Sequence, residues 1–289
     1  MARRRLPRHD RRAARARARG VALVAVLLLV AGLVAIATAV VVLSASQRQA
    51  AQLAQRAYAE RELLDGALRV ALTEICFSKV DGPFWHPRQP RTLPFGERRV
   101  EVSVERESGR VDLNTAREIY IAAVLEAGGA KAEDARDASA RIRDWIDADD
   151  EVSPHGAERE QYRAANFHYA PRNGPFESVD ELRQVLGLNT LDDATLDAFT
   201  IYSSQSEPAA GEAPPRVRAA LAIIAKTAGS EPPAAVLDDT RAASSEPVSY
   251  AGAVVRLRAC LEPERDVCRT TVVRITGNAR QPMLVLAWR

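Results

Sequence analysis

The spacing of polar and apolar residues changes character along this chain of 289 residues. From Val21 to Leu43 there is no alternation: 23 residues carry no charge and no proline, and one glycine. As a helix rising about 1.5 Å per residue the segment is about 35 Å long, enough for a bilayer core of about 30 Å. A core helix of a soluble protein would keep a polar stripe, and none is present. Beyond it the period becomes that of an amphipathic helix. Leu53, Ala57, Glu60, Leu64, Leu68 and Leu72 recur at helical spacing, and no proline intervenes before Pro83. The two patterns join into one expected helix over 21–75.

Strict alternation follows at Val100, Val102 and Val104 against Glu101, Ser103 and Glu105, which predicts a half-buried strand turning at Ser108-Gly109. A helical block follows. "DLNTAREIYIAAVLEAGG" opens a helix with Asn114 or Thr115 as the cap and Gly128-Gly129 as the stop. "AEDARDASARIRDWIDA" and "SVDELRQVLGL" continue the helical spacing, with Ser178 and Glu181 read as a capping box. Strand patterns return at 250–261 and 268–276 as a hairpin. Val255, Leu257, Ala259 and Leu261 take one face and Arg256, Arg258 and Cys260 the other. "PMLVLAW" reads as a last strand. Strands on both sides of a helical block predict an α+β fold with the helices inserted, joined through the linkers "SSQSEPAAGEAPP" and "GSEPPAAVLDDTRAASSEP".

Charge adds a direction. The overall +2 conceals nine arginines and one acid in residues 1–20, a net +8, which leaves the rest of the chain at −6. Arginines against an apolar span put that end in the cytoplasm and the bulk of the chain across the inner membrane. A cleaved secretory signal is the rival reading, but its apolar core runs about 7–15 residues, and "LSASQ" is a weak cleavage site. Cys260 and Cys268 face each other across the expected hairpin and are either paired or free, partly buried thiols; Cys76 has no evident partner.

No catalytic constellation stands out. The four histidines lack HExxH spacing, and no P-loop or nucleophile elbow occurs, so no enzyme is expected. The acidic stretch "DWIDADDEVSPHGAERE" is different. Counted from Asp147, the residues Asp149, Glu151, Ser153 and Glu158 fall at the ligand positions of an EF-hand loop, with Val152 where that loop needs glycine. Carboxylates this crowded repel unless a cation neutralises them; otherwise the stretch is a solvated loop. A membrane-tethered helix-hairpin-helix DNA-binding or uptake protein is the alternative function, but an acidic block repels phosphate.

A short basic leader, then a glycine, then a long apolar helix resembles the class III signal of type IV pilin-like proteins. The resemblance implies that a prepilin peptidase cuts between Gly20 and Val21, leaving Val21 as an N-methylated first residue. Position five is then Ala25, where most pilins and pseudopilins have a glutamate that pairs with a neighbour's N-terminal amine. A carboxylate in lipid is costly without such a partner, so its absence suits a subunit with nothing ahead of it in the fibre. "GRVDLNTA", "IRDWIDADDE", "HGAEREQY", "NGPFESVDELRQVLGL", "FTIYS" and "VLAWR" then resemble, in family order, the general secretion pathway protein K family of minor pseudopilins.

That family implies a pilin-type transmembrane helix, an antiparallel-sheet domain and a large inserted all-α domain of helix-hairpin-helix type. The expected layout is a leader over 1–20, a helix over 21–75 that crosses the membrane at 21–43, an α/β domain from 76–114 and 201–289, and the insertion over 115–200. It also implies calcium at Asp147, Asp149, Glu151 and Glu158. The implied role is a tip subunit that helps initiate a periplasmic pseudopilus and the export of folded exoproteins. The implied partners are the I and J pseudopilins, the inner-membrane secretion platform and the peptidase, with no nucleic acid or small-molecule substrate. The chain departs from the family pattern after Tyr202, where a second N-T-A-type motif is replaced by "GEAPPRVRAAL".

Overall fold

The computed structural model describes residues 8–77, 85–87, 89–237, 248–263 and 266–289, with the side chains of the first helix described over 23–43 and 47–77. The chain divides into two compact units, one ending at Arg61 and one running from Glu62 to Arg289.

The first unit is helix throughout its described residues, as part of α1 (Arg8–Phe77). The helix starts well before the expected Val21, because the Ala- and Arg-rich segment ahead of it consists of strong helix formers. Its apolar stretch has a mean hydropathy of 3.0 over 18 residues with none of that window buried, so it is long and apolar enough to cross a membrane. Thr38 turns its hydroxyl back onto the Val34 carbonyl, so the helix presents no unsatisfied donor there.

The second unit is built on a five-stranded antiparallel sheet in the order β1 (Arg91–Phe95), β2 (Arg98–Arg106), β5 (Val254–Glu262), β6 (Cys268–Asn278), β7 (Gln281–Trp288). The last turns of α1 lie on one face of it. Leu64, Ala67, Leu68, Ala71 and Leu72, none more than 1% exposed, share a core with Val100, Val102, Val104, Val255, Leu257, Ala259, Leu261, Val273 and Ile275. The alternation read from the valines is therefore the sheet's inner face, and the two alanines among the leucines let helix and sheet approach closely.

Polar clamps fix α1 to both edges of the sheet. Asp65 accepts from Trp288 Nε1 at 2.8 Å and from Arg269 Nε at 3.1 Å. Glu74 accepts from Trp85 Nε1 and from Arg91, both at 2.9 Å, and Tyr250 donates to the Trp85 carbonyl at 2.8 Å.

The chain between β2 and β5 forms the helical block. β3 (Val111–Asp112) and β4 (Phe199–Thr200) pair in parallel at its base. Between them lie α2 (Glu118–Ala127), α3 (Ala132–Ile146), α4 (Arg159–Ala164), a 3-10 turn (Val179–Gln184) and α5 (Asp193–Leu196), around Val124, Ile142, Tyr162, Leu182 and Phe199. α6 (Pro215–Thr227) joins this core through Val217, Ala220 and Leu221, so the helical packing takes in residues beyond 200.

Two expected caps differ. α2 begins after Arg117 with no side-chain cap. Asn114 instead exchanges hydrogen bonds with the Phe176 backbone at 3.1 and 2.7 Å, and Thr115 donates to the Gln205 carbonyl at 2.9 Å. Ser178 does cap, accepting from the Asp180 amide at 3.2 Å, but the turn is 3-10 and Glu181 reaches the Glu177 amide, not that of Ser178.

Candidate functional site

The sequence motifs meet where the helical block joins the sheet. Asp112, 1% exposed, accepts from the Asn114 amide at 3.0 Å, from Ser203 Oγ at 3.1 Å and from the Ser204 amide at 2.8 Å. "DLNTA" is thereby tied to "NGPFES", to Ser203 at the end of "FTIYS" and to Ser204 after it, and its polar side chains are spent on partners within the protein.

Beside it lies a buried ionic network. Arg110, 2% exposed, donates through Nε to the Asp197 carbonyl at 2.8 Å and through Nη2 to Glu105 at 2.5 Å and Asp197 at 3.2 Å. Arg256 of β5 reaches Glu107 and Asp197, each at 2.6 Å. Burial alone would lower the Arg110 pKa, but Asp197, Glu107 and Glu105 outweigh it and hold the guanidinium charged. A cleft of about 470 Å³ opens alongside, between the outer face of the sheet and the block. Arg289 crosses it to Asp180 at 3.0 Å and Ser178 at 3.1 Å.

The acidic stretch leaves α3 and enters α4. Glu158 is 3% exposed, and neither of its carboxylate oxygens has a hydrogen-bond partner. Desolvation, followed by the charges of Asp144, Asp147, Asp150 and Asp149, pushes its pKa up to about 7. Asp147 is raised too, first by desolvation and then by Asp149 and Asp144. Asp144, which the EF-hand count passes over, is fully buried, with Oδ1 unpartnered and Oδ2 accepting from the Ser153 amide at 3.2 Å. A Cβ on Gly156 would stand 2.0 Å from that Oδ2, so only glycine lets the chain pass over this carboxylate. Asp149 and Glu151 are exposed, and Asp149 Oδ1 is occupied by the Glu151 amide at 2.9 Å.

Among the described residues no three His, Cys, Asp or Glu side chains converge as a ready metal cage. The buried, unpartnered oxygens of Asp144, Asp147 and Glu158 nevertheless have the hard-donor chemistry of a calcium site. Asp149 and Glu151 do not share that environment.

Gly20 and Val21 fall within α1, in the part whose side chains lie outside the described residues. Ala25 is an exposed position of the apolar stretch. Cys260 and Cys268 are cross-strand partners whose sulfurs are bonded at 2.03 Å. Cys76 is free and half-buried, and burial pushes its thiol pKa up.

The last turns of α1 laid on an antiparallel sheet, with a helical block let into the chain between two strands of that sheet, define a mixed helix and antiparallel-sheet fold carrying a helical insertion. Residues 103–201 match the family described as Type II secretion system (T2SS), protein K. The Type II secretion system protein K of Pectobacterium carotovorum subsp. carotovorum is 37% identical over 62 residues, 22% of this chain; the match spans about a fifth (19%) of that relative's length. A chain in the crystal structure of the GspK-GspI-GspJ complex from the enterotoxigenic Escherichia coli Type 2 Secretion System superposes with a TM-score of 0.53 at 14% identity, covering 84% of this chain and 98% of that one. It shows the same fold.

Proposed function

We propose that the chain is a minor pseudopilin at the tip of a type II secretion pseudopilus. The observation that carries the reading is that the protein K match at 103–201 falls on the helical block between β2 and β5, behind an apolar helix. In this reading α1 anchors the chain once in the inner membrane with its N-terminus cytoplasmic, and a prepilin peptidase cuts between Gly20 and Val21, after which Val21 is methylated. Ala25 leaves no carboxylate needing the amine of a subunit above it. The inserted block stops further subunits from adding ahead of it, and the I and J components assemble below on the inner-membrane platform. The protein works by shape and contact, without catalysis, to start the fibre that exports folded exoproteins.

Calcium belongs to the same proposal. Asp144, Asp147 and Glu158 would hold it, and the cation would supply charge that lets α3 and α4 meet over buried carboxylates. The chain's own part is to hold those oxygens together, with Gly156 keeping the passage open.

The test is co-isolation of the full-length chain, extracted in detergent, with candidate I and J pseudopilins from the same membranes. A stable heteromeric complex is expected. Quantitative recovery of the chain alone under conditions that preserve other membrane complexes overturns the reading.

A further inference from the structure

The five-stranded sheet ends on two unlike edges. β1 is five residues long, opens on Arg91 and contains Pro94. β7 is eight residues long and carries no charge. An edge strand offers unpaired N–H and C=O groups to any passing chain, and proteins blunt such edges with brevity, charge, proline or a bulge. β1 has the first three. β7 has Pro282 near its start, and its pairing with β6 is irregular there and again at Leu286, between Val285 and Ala287; neither proline nor charge follows within Met283–Trp288. Within that stretch Leu284 and Val285 are 46% and 47% exposed.

Charge says what kind of chain would come. From Cys268 to Arg289 there are four arginines and no acid. Arg269 is taken by Asp65 and Arg289 by Asp180. Arg274, cross-strand from Leu284, and Arg280, in the turn before β7, are exposed and have no side-chain partner among the described residues. A second copy of this chain pairing here would bring like charges together with no acid to neutralise them.

We propose that β7 is a docking edge, to which a partner pilin-like subunit adds an extended segment bearing apolar residues flanked by Asp or Glu. The proposal rests on the pseudopilin reading above. Backbone hydrogen bonds supply affinity, Leu284 and Val285 supply apolar contact, and Arg274 and Arg280 select for acid.

Hydrogen exchange on the detergent-solubilised full chain, alone and with I and J pseudopilins bound, tests it. Outward amides within 283–288 should slow at least tenfold in the complex, while those of 92–95 stay unchanged. Leu284→Lys and Arg274→Glu should each weaken capture about tenfold at an unaltered melting temperature, and Thr92→Lys should not. A complex that forms without β7 protection overturns this inference and leaves the pseudopilin reading standing; failure to form any complex overturns both. Protection of β7 in the chain alone, with dimerisation, overturns it in favour of a second copy.

Discussion

Arg256 Nε donates to Glu107 Oε1 at 2.6 Å, and Glu107 is wholly buried where β2 gives way to the helical block. This pair, with Asp197 shared between Arg256 and Arg110, joins the inserted helices to the sheet. A buried ion pair adds little over a well-packed apolar pair, but removing one partner strands the other charge.

Arg256→Ala is therefore expected to cost about 3–5 kcal/mol of folding stability, the range for breaking a buried pair. Arg256→Met should cost nearly as much, because buried Glu107 loses both of its hydrogen bonds from Arg256 in either variant. Denaturant unfolding of the full chain in detergent measures this; a loss below about 1 kcal/mol would mean that Glu107 is satisfied without Arg256.

The acidic pocket should give the protein an inverted pH response. Glu158 is raised from 4.5 to about 7 in the folded state, so its contribution is fully present below pH 4.5 and lost as pH climbs towards 7. In chelator the melting temperature should thus fall between about pH 4.5 and pH 7 and level off above, and Glu158→Gln should flatten the fall. Calcium should restore it most at pH 8, where the carboxylate is free, by about 2.7 kcal/mol at a hundredfold excess over Kd. No calcium-dependent rise at pH 8 would leave the cluster a bare acidic pocket.

Processing is tested at Gly20. Gly20→Val should leave the basic leader attached while the chain still inserts in the membrane. Mass spectrometry of the wild-type N-terminus should find Val21; a start near Ser46 would replace the pilin-type signal with a secretory one.

Ala25→Glu places a carboxylate where the tip reading offers no amine. Scales of insertion put such a charge at about 2.5–3.5 kcal/mol at mid-membrane, less near the interface. Secretion should fall or stay level. Longer fibres with this chain along their shaft would show that it is an interior subunit.

The parts of the fold that were legible in the sequence are those with a local period. Val100, Val102 and Val104 announce β2, and the uncharged run from Val21 to Leu43 announces an apolar helix, because each pattern lies within a few residues of itself. β1 is not legible, since "RTLPF" contributes one buried residue, Leu93, and its identity comes from β2 beside it. Asn114 looked like a cap because its true partner, Phe176, lies 62 residues away. Asp144 is hidden for a similar reason: it sits among the polar residues of a helix that looks solvated, and the loop that buries it returns only at Gly156. The motifs "HGAEREQY" and "VLAWR" were visible as strings; that they place Gly156 over a carboxylate and Trp288 on Asp65 was not.

Asp65 and Glu74 are nine residues apart on α1, about 14 Å along its axis, and one holds β7 and β6 while the other holds β1. A pull along that helix cannot peel the sheet open one strand at a time from a single edge. It is delivered at both margins together and must shear the whole helix–sheet interface at once, as a rivet at each side of a seam spreads strain that one stitch would concentrate.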